Sequence, residues 1–102
     1  MSIKKLYLKT KPVCKVTFRV QKEANGGAKK IYVVGEFNKW NKDATPMKCY
    51  KNGSFSATLD LDLNREYQFR YLIDAVDWRN DWDADTYVHS PYGNCNNSVI
   101  IT

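Results

Sequence analysis

Histidine occurs once in this chain and cysteine three times, and neither stands in a pattern that supports chemistry. His89 has no serine or cysteine in a nucleophile-elbow setting, so a catalytic triad has no support, and a lone histidine close to Pro91 reads as a turn residue. Cys14, Cys49 and Cys95 form an odd set without a CxxC spacing, which argues against both a disulfide framework and a zinc knuckle and leaves reduced thiols as the expectation. Long apolar runs are also missing. The opening residues lack the apolar core of a signal peptide, and no later stretch approaches the roughly eighteen apolar residues of a membrane span. No window carries a 3.6-residue hydrophobic period, and there are no repeats or low-complexity tracts. These absences lead to the expectation of a cytoplasmic, non-helical protein with no cofactor, no metal and no membrane partner.

What the chain does have is rings. Seven Tyr, four Phe and three Trp make up 14% of 102 residues, more than one small core needs, and a chain of this length has room for only one core. The formal charge is +5, and Lys4, Lys5, Lys9, Lys11 and Lys15 account for all of that excess. A basic lead-in of this kind reads as a solvated arm or an edge strand through Leu6 and Leu8. Residues 1–12 are therefore set apart as arm or edge strand, and residues 13–102 as the domain.

Strand signals recur along that domain. From Cys14 to Gln21, Cys14, Val16, Phe18 and Val20 alternate with Lys15, Thr17, Arg19 and Gln21, the mark of a half-buried strand. A break at Glu23–Gly27 precedes Ile31–Val34, which ends at Gly35. Glu36 to Pro46 reads as a loop despite Phe37 and Trp40. Met47–Tyr50 and Ser54–Leu61 flank Asn52-Gly53, a dipeptide suited to the positive φ angles of a tight hairpin turn. After a turn at Asp62–Asn64, Tyr67, Phe69, Tyr71 and Ile73 alternate with Gln68, Arg70, Leu72 and Asp74, so Arg70 points away from the core. A polar stretch with Trp78 and Trp82 follows, and Ser98–Thr102 closes the chain. About seven short strands at regular spacing indicate an all-β fold, a β-sandwich.

Asp74, Asp77, Asp81, Asp83 and Asp85 invite a glycosidase reading, which needs two carboxyls flanking a sugar in a deep site. One small core leaves little room for such a cleft. The run Asp81 to Asp85 also imitates the start of a calcium loop, but Thr86 stands where the glycine is needed and Tyr92 where the bidentate glutamate is needed. A solvated acidic loop is the expectation.

The informative set is Trp40, Trp78, Arg70 and the pair Asn94 and Asn96, in loops or on an outward strand face. A tryptophan in an Asn-rich or Asp-rich loop is hard to bury, because its neighbouring backbone would be dragged from water. Exposed indoles beside amides and a guanidinium suit a sugar, whose apolar CH face stacks on a ring while its hydroxyls take hydrogen bonds. Trp82 is expected to cover an end of the sandwich instead.

The run Val34-Gly35-Glu36-Phe37-Asn38-Lys39-Trp40-Asn41 with Thr45-Pro46-Met47 resembles the signature of the glycogen-binding domains of carbohydrate-binding module family forty-eight. These include the domain of AMP-activated protein kinase β subunits and the early-set domains preceding isoamylases and branching enzymes. The resemblance continues through Gly53-Ser54-Phe55, Tyr67 to Asp74 and Asn97-Ser98-Val99-Ile100, from about Val13 to Thr102. It implies an immunoglobulin-like early-set β-sandwich that binds α-1,4-linked glucan, glycogen or malto-oligosaccharide, without catalysis. Trp40 and Trp78 would be stacking platforms, Arg70 the basic residue between them, Tyr92 the prong, and Asn94 and Asn96 the hydrogen-bonding amides. Ala75 departs from the family's turn glycine, and Val76-Asp77 lengthen that hairpin. The implied role is a free-standing targeting or regulatory module, with a glycogen-metabolising enzyme as a further partner; enzyme labels would be inherited from multidomain relatives. One rival is a protein-interaction module of the same fold without sugar affinity. The other, a single-strand nucleic-acid binder, lacks an RNP-type or cold-shock motif, so no nucleic-acid partner is expected.

Overall fold

Strict alternation along residues 13–20 produces a strand whose Cys14, Val16, Phe18 and Val20 are all buried, while the intervening side chains face out, as a period of two requires. The computed structural model describes residues 3–25, 27–81, 84–89 and 96–102. In chain order its strands are β1 (Ile3–Tyr7), β2 (Val13–Val20), β3 (Ile31–Gly35), β4 (Lys48–Cys49), β5 (Phe55–Asp62), β6 (Glu66–Ile73), β7 (Asp77–Arg79), β8 (Thr86–His89) and β9 (Asn96–Ile101). One four-residue helical turn, Lys22–Asn25, and one 3-10 turn, Glu36–Asn38, interrupt them. The protein is thus the expected all-β sandwich, with nine strands among the described residues instead of about seven.

The surplus comes from short or polar segments that alternation reveals poorly. β1 is one: Lys4, Lys5 and Tyr7 do not advertise a strand, yet Ile3↔Phe18 to Tyr7↔Cys14 pair along the whole of its length. The first sheet runs β1-β2-β5-β4, and the second runs β3-β6-β9-β8, all pairings antiparallel. β7 also pairs with β6, opposite Tyr71–Ile73. That stretch of β6 already has β3 on one edge, so β7 occupies the other edge, in line with β9, which pairs only with Glu66–Phe69.

The core between the sheets joins Val16, Phe18 and Val20 of β2, Ile31 and Val33 of β3, Phe55 and Leu61 of β5, Phe69, Tyr71 and Ile73 of β6, and Ile100 of β9. Phe18 and Phe69 meet edge-on with centroids 5.0 Å apart, and Phe69 meets Tyr71 at 5.7 Å, the geometry that aromatic quadrupoles favour. Cys14 lies in this core, and burial raises its thiol pKa above the ordinary value, which makes it a poor nucleophile.

Three of the aspartates, Asp74, Asp81 and Asp85, are structural and not merely solvated, and Asp83 lies outside the described residues. Asp74 Oδ1 accepts the N–H groups of Lys29 (2.8 Å) and Lys30 (2.9 Å), fastening the start of β3 to the end of β6. Asp85 Oδ2 accepts Ile101 N–H (2.7 Å) and pairs with Lys5 Nζ at 2.6 Å, tying the β1 edge to β9 of the facing sheet. Asp81 is fully buried, and its Oδ2 accepts the Tyr71 hydroxyl at 2.5 Å. Burial and that neighbouring carboxylate hold the Tyr71 hydroxyl well above its usual range, so it stays a donor. Among the described residues no group of three metal-ligating side chains comes together. Nor, among them, is any helix long and apolar enough to cross a membrane.

The Asn52-Gly53 turn joins β4 to β5 as expected, with one difference. Gly53 takes a positive φ of 86° and Asn52 does not. Instead the Asn52 side chain bonds forward, its Oδ1 accepting Ser54 N–H at 3.0 Å and the Ser54 hydroxyl at 2.7 Å, an Asx-type turn.

Candidate functional site

The segment after β3 owes its shape to one glycine and three side chains of the Gly-Glu-Phe-Asn-Lys-Trp run. Gly35 lies so close to β6 that a Cβ built on it would stand 2.5 Å from Gln68 O and 2.7 Å from Phe69 Cβ, so a larger residue would push the two strands apart. Glu36 Oε1 accepts Gln68 N–H at 2.7 Å. Phe37 turns back to the core, its ring 5.6 Å from Phe18 and 6.2 Å from Tyr67. Asn38 closes the turn: Oδ1 accepts Gly35 N–H, and Nδ2 donates to Val33 O and Thr45 Oγ1, each at 3.0 Å. The expected loop from Glu36 to Pro46 is therefore a 3-10 turn followed by a tied segment that returns along β3 through Val33 N–H to Thr45 O and Met47 N–H to Ile31 O.

That framework lifts the next two residues outward. Lys39 and Trp40 both adopt left-handed conformations, with φ of 57° and 59°, and Trp40 N–H donates to Gly35 O at 2.8 Å. A bulky residue in this region is an outlier that its surroundings must impose. The result is an indole left 38% exposed.

On the neighbouring strands, residues directly opposite one another share a face. Tyr32, Leu72 and Trp78 form one such row across β3, β6 and β7, and Val34 and Arg70 begin the next. This is the outward face of the second sheet, because its residues alternate with the core set. Val34 and Leu72 are nonetheless buried, at 0% and 3% exposure, so this face is covered. Trp78 stands directly across from Leu72 in register and remains 39% exposed. The loop and β7 meet: Lys42 Nζ lies 5.8 Å from the centroid of the Trp78 ring. Neither Trp40 nor Trp78 lies in the interior, at 38% and 39% exposure, and Lys42, two residues after Trp40, reaches the Trp78 ring.

Arg70 is half-buried on the same face, and its Nη2 donates to Asn96 O at 2.9 Å. Asn96, the exposed first residue of β9, thereby joins the set through its backbone carbonyl. Tyr92, Asn94 and Trp82 lie outside the described residues. Sequence reasoning missed Asn80. It sits where β7 ends and β9 begins, with Nδ2 donating to Asn96 O at 2.6 Å and Oδ1 accepting Ser98 N–H (3.0 Å) and Ser98 Oγ (2.9 Å). Only the pairing of β6 with both strands brings it there, a signal invisible in the chain itself. Lys42 was missed for the same reason.

Fold and exposure together define an all-β sandwich domain that keeps two indoles partly exposed, Trp40 and Trp78. The comparison with known families is specific: residues 18–102 match the model described as the glycogen recognition site of AMP-activated protein kinase, and the chain belongs to that family. Among curated proteins it is similar to 5'-AMP-activated protein kinase subunit beta-1 of Sus scrofa, 36% identical over 76 residues that cover 74% of this chain and 57% of that protein. It is similar also to the beta-1 subunits of Rattus norvegicus and Homo sapiens, each 35% identical over 76 residues, or 74% of this chain and 26% of theirs. The match thus spans little more than half of one relative and about a quarter of the others.

Proposed function

We propose that this domain binds α-1,4-linked glucan, as glycogen or malto-oligosaccharide, and catalyses nothing. Successive glucose rings stack on Trp40 and Trp78, Arg70 lies between them as the basic contact, and Asn96 supplies an amide; the family resemblance adds Tyr92 and Asn94 as further sugar contacts. The domain serves as a targeting or regulatory module, and a glycogen-metabolising enzyme or kinase assembly is the partner it would bring to the polysaccharide. The observation that carries this reading is Trp40: a large apolar ring held in a left-handed conformation and left 38% exposed, where burial would have been the cheaper arrangement. The engagement of Asp74, Asp81 and Asp85 in structural hydrogen bonds supports a binding role over a hydrolytic one.

A shallow site of two rings and a few exposed hydrogen bonds should give dissociation constants of about millimolar to micromolar, roughly −4 to −8 kcal/mol. Titration of tryptophan fluorescence with maltoheptaose tests it. Saturable quenching or enhancement is expected, nearly independent of salt because the ligand is neutral, and lost in both Trp40→Ala and Trp78→Ala. Wild-type affinity in either folded variant would refute the reading.

A further inference from the structure

Among the described residues no carboxylate pairs with Lys42. Nor, among them, does it form a side-chain hydrogen bond, and its neighbour Asp43 uses its backbone N–H to bond Asn41 Oδ1 at 2.9 Å. A free ammonium on a four-carbon stem belongs in bulk water, where its hydration is best. Instead Nζ rests 5.8 Å from the centroid of the Trp78 ring, on a strand 36 residues further along the chain, within the range of a cation–π contact. The loop that carries Lys42 is fixed at its base by Asn38 and Thr45, so the contact follows from the placement of two ordered elements.

Trp78 pairs in register with the buried Leu72 and remains 39% exposed. The exposed Lys42 lies over its ring, and a ring face is what a sugar needs for stacking. An ammonium and a glucose CH face compete for the same π-cloud.

The geometry points to Lys42 as a self-capping side chain: in the unliganded protein it covers the exposed face of Trp78, and glucan must displace it to stack there. This inference rests on the glucan reading and adds a residue that sets its affinity. Loss of a cation–π contact at an exposed site corresponds to about a two- to fivefold change in an equilibrium constant. Lys42→Met keeps most of the stem but removes the charge, and it should bind maltoheptaose about two- to fivefold more tightly than wild type. Lys42→Arg keeps a cation that stacks at least as well and should gain nothing.

NMR supplies a readout that does not depend on the affinity. The terminal methylene protons of Lys42 should be shifted upfield by the indole ring current in the unliganded wild type. The shift should vanish in Trp78→Ala and again when wild type is saturated with maltoheptaose. If Lys42→Met binds no more tightly than wild type, or if the upfield shift survives saturation, self-capping is wrong although glucan binding stands. If wild type fails to bind at all, the glucan reading fails and the competition with it, while the methylene shift still tells whether the cap exists.

Discussion

Asn38→Ala removes one side chain and three hydrogen bonds: to Gly35 N–H, to the Val33 carbonyl and to the Thr45 hydroxyl, each at 3.0 Å. A net value of about 0.5–1.5 kcal/mol for each bond gives a loss of about 3 kcal/mol, since Asn38 is half-buried and water can replace only part of what is lost. Small domains have total stabilities of about 5–15 kcal/mol, so the variant should fold, with a melting temperature lowered by on the order of 15 °C. Thr45→Val severs one of the three bonds and should cost about 1 kcal/mol. In the double variant the two losses should overlap by about 1 kcal/mol, as residues sharing a bond do. Urea denaturation of the four proteins measures this cycle. Maltoheptaose titration at a temperature where all are folded measures the functional side, and there Asn38→Ala should bind at least tenfold more weakly because Trp40 is no longer held outward. A stability loss below about 0.5 kcal/mol, or wild-type glucan affinity in a folded Asn38→Ala protein, would refute the claim that this amide organises the loop.

Three other variants probe separate joints. Gly35→Ala places a Cβ 2.5 Å from Gln68 O and 2.7 Å from Phe69 Cβ; overpacking against backbone should cost about 2–4 kcal/mol by chemical denaturation. Asn80→Ala removes the donor to Asn96 O and the acceptor for Ser98, and should weaken maltoheptaose binding severalfold by freeing the carbonyl that anchors Arg70, with tryptophan fluorescence as the readout. Asp74 has its pKa lowered by the Lys30 and Lys29 N–H groups, so its contribution is complete above the unfolded value of about 4 and fades as pH falls through the lower folded value. The stability gap between wild type and Asp74→Ala should be constant from pH 7 to 5 and should narrow below about pH 4, leaving the pH-independent cost of alanine at a φ of 51°.

Alternation exposed the sandwich most clearly at β2, which has one dry face and one wet one. β2, β5 and β6 are eight residues each, long enough for a period of two to repeat. β4 and β7, at two and three residues, carry no period and exist because a longer strand pairs with them. β1 was readable only as a choice between arm and edge, since its lysines obscure the pattern; pairing with β2 and the Lys5–Asp85 contact settle that choice. At the site, Trp40, Trp78 and Arg70 stood out as rings and charge in polar company. Lys42 and Asn80 did not, because a lysine in a loop and an asparagine after a strand are ordinary until the fold sets one beside an indole and the other beside a carbonyl. The aspartates show the reverse: the acidic run looked uniformly solvated, whereas Asp81 is buried against Tyr71.

The positive φ angles separate two kinds of departure from easy backbone. At Asp74 and Ala75, with φ of 51° and 65°, two left-handed residues make the turn between β6 and β7, and a glycine would serve that turn at lower cost. At Lys39 and Trp40 the left-handed pair does not reverse a hairpin; it turns an indole to solvent at the end of a segment braced by Phe37 in the core and Asn38 on three partners. Each such residue costs about 1–2 kcal/mol relative to right-handed backbone, comparable in size to the hydrogen bonds that brace it. A ring needed only as cover for the sandwich would require neither the strain nor the bracing. Under the proposed glucan reading both have a use, because a shallow site has few contacts with which to offset ordering, and a backbone already braced at Trp40 leaves less to be ordered when the sugar arrives.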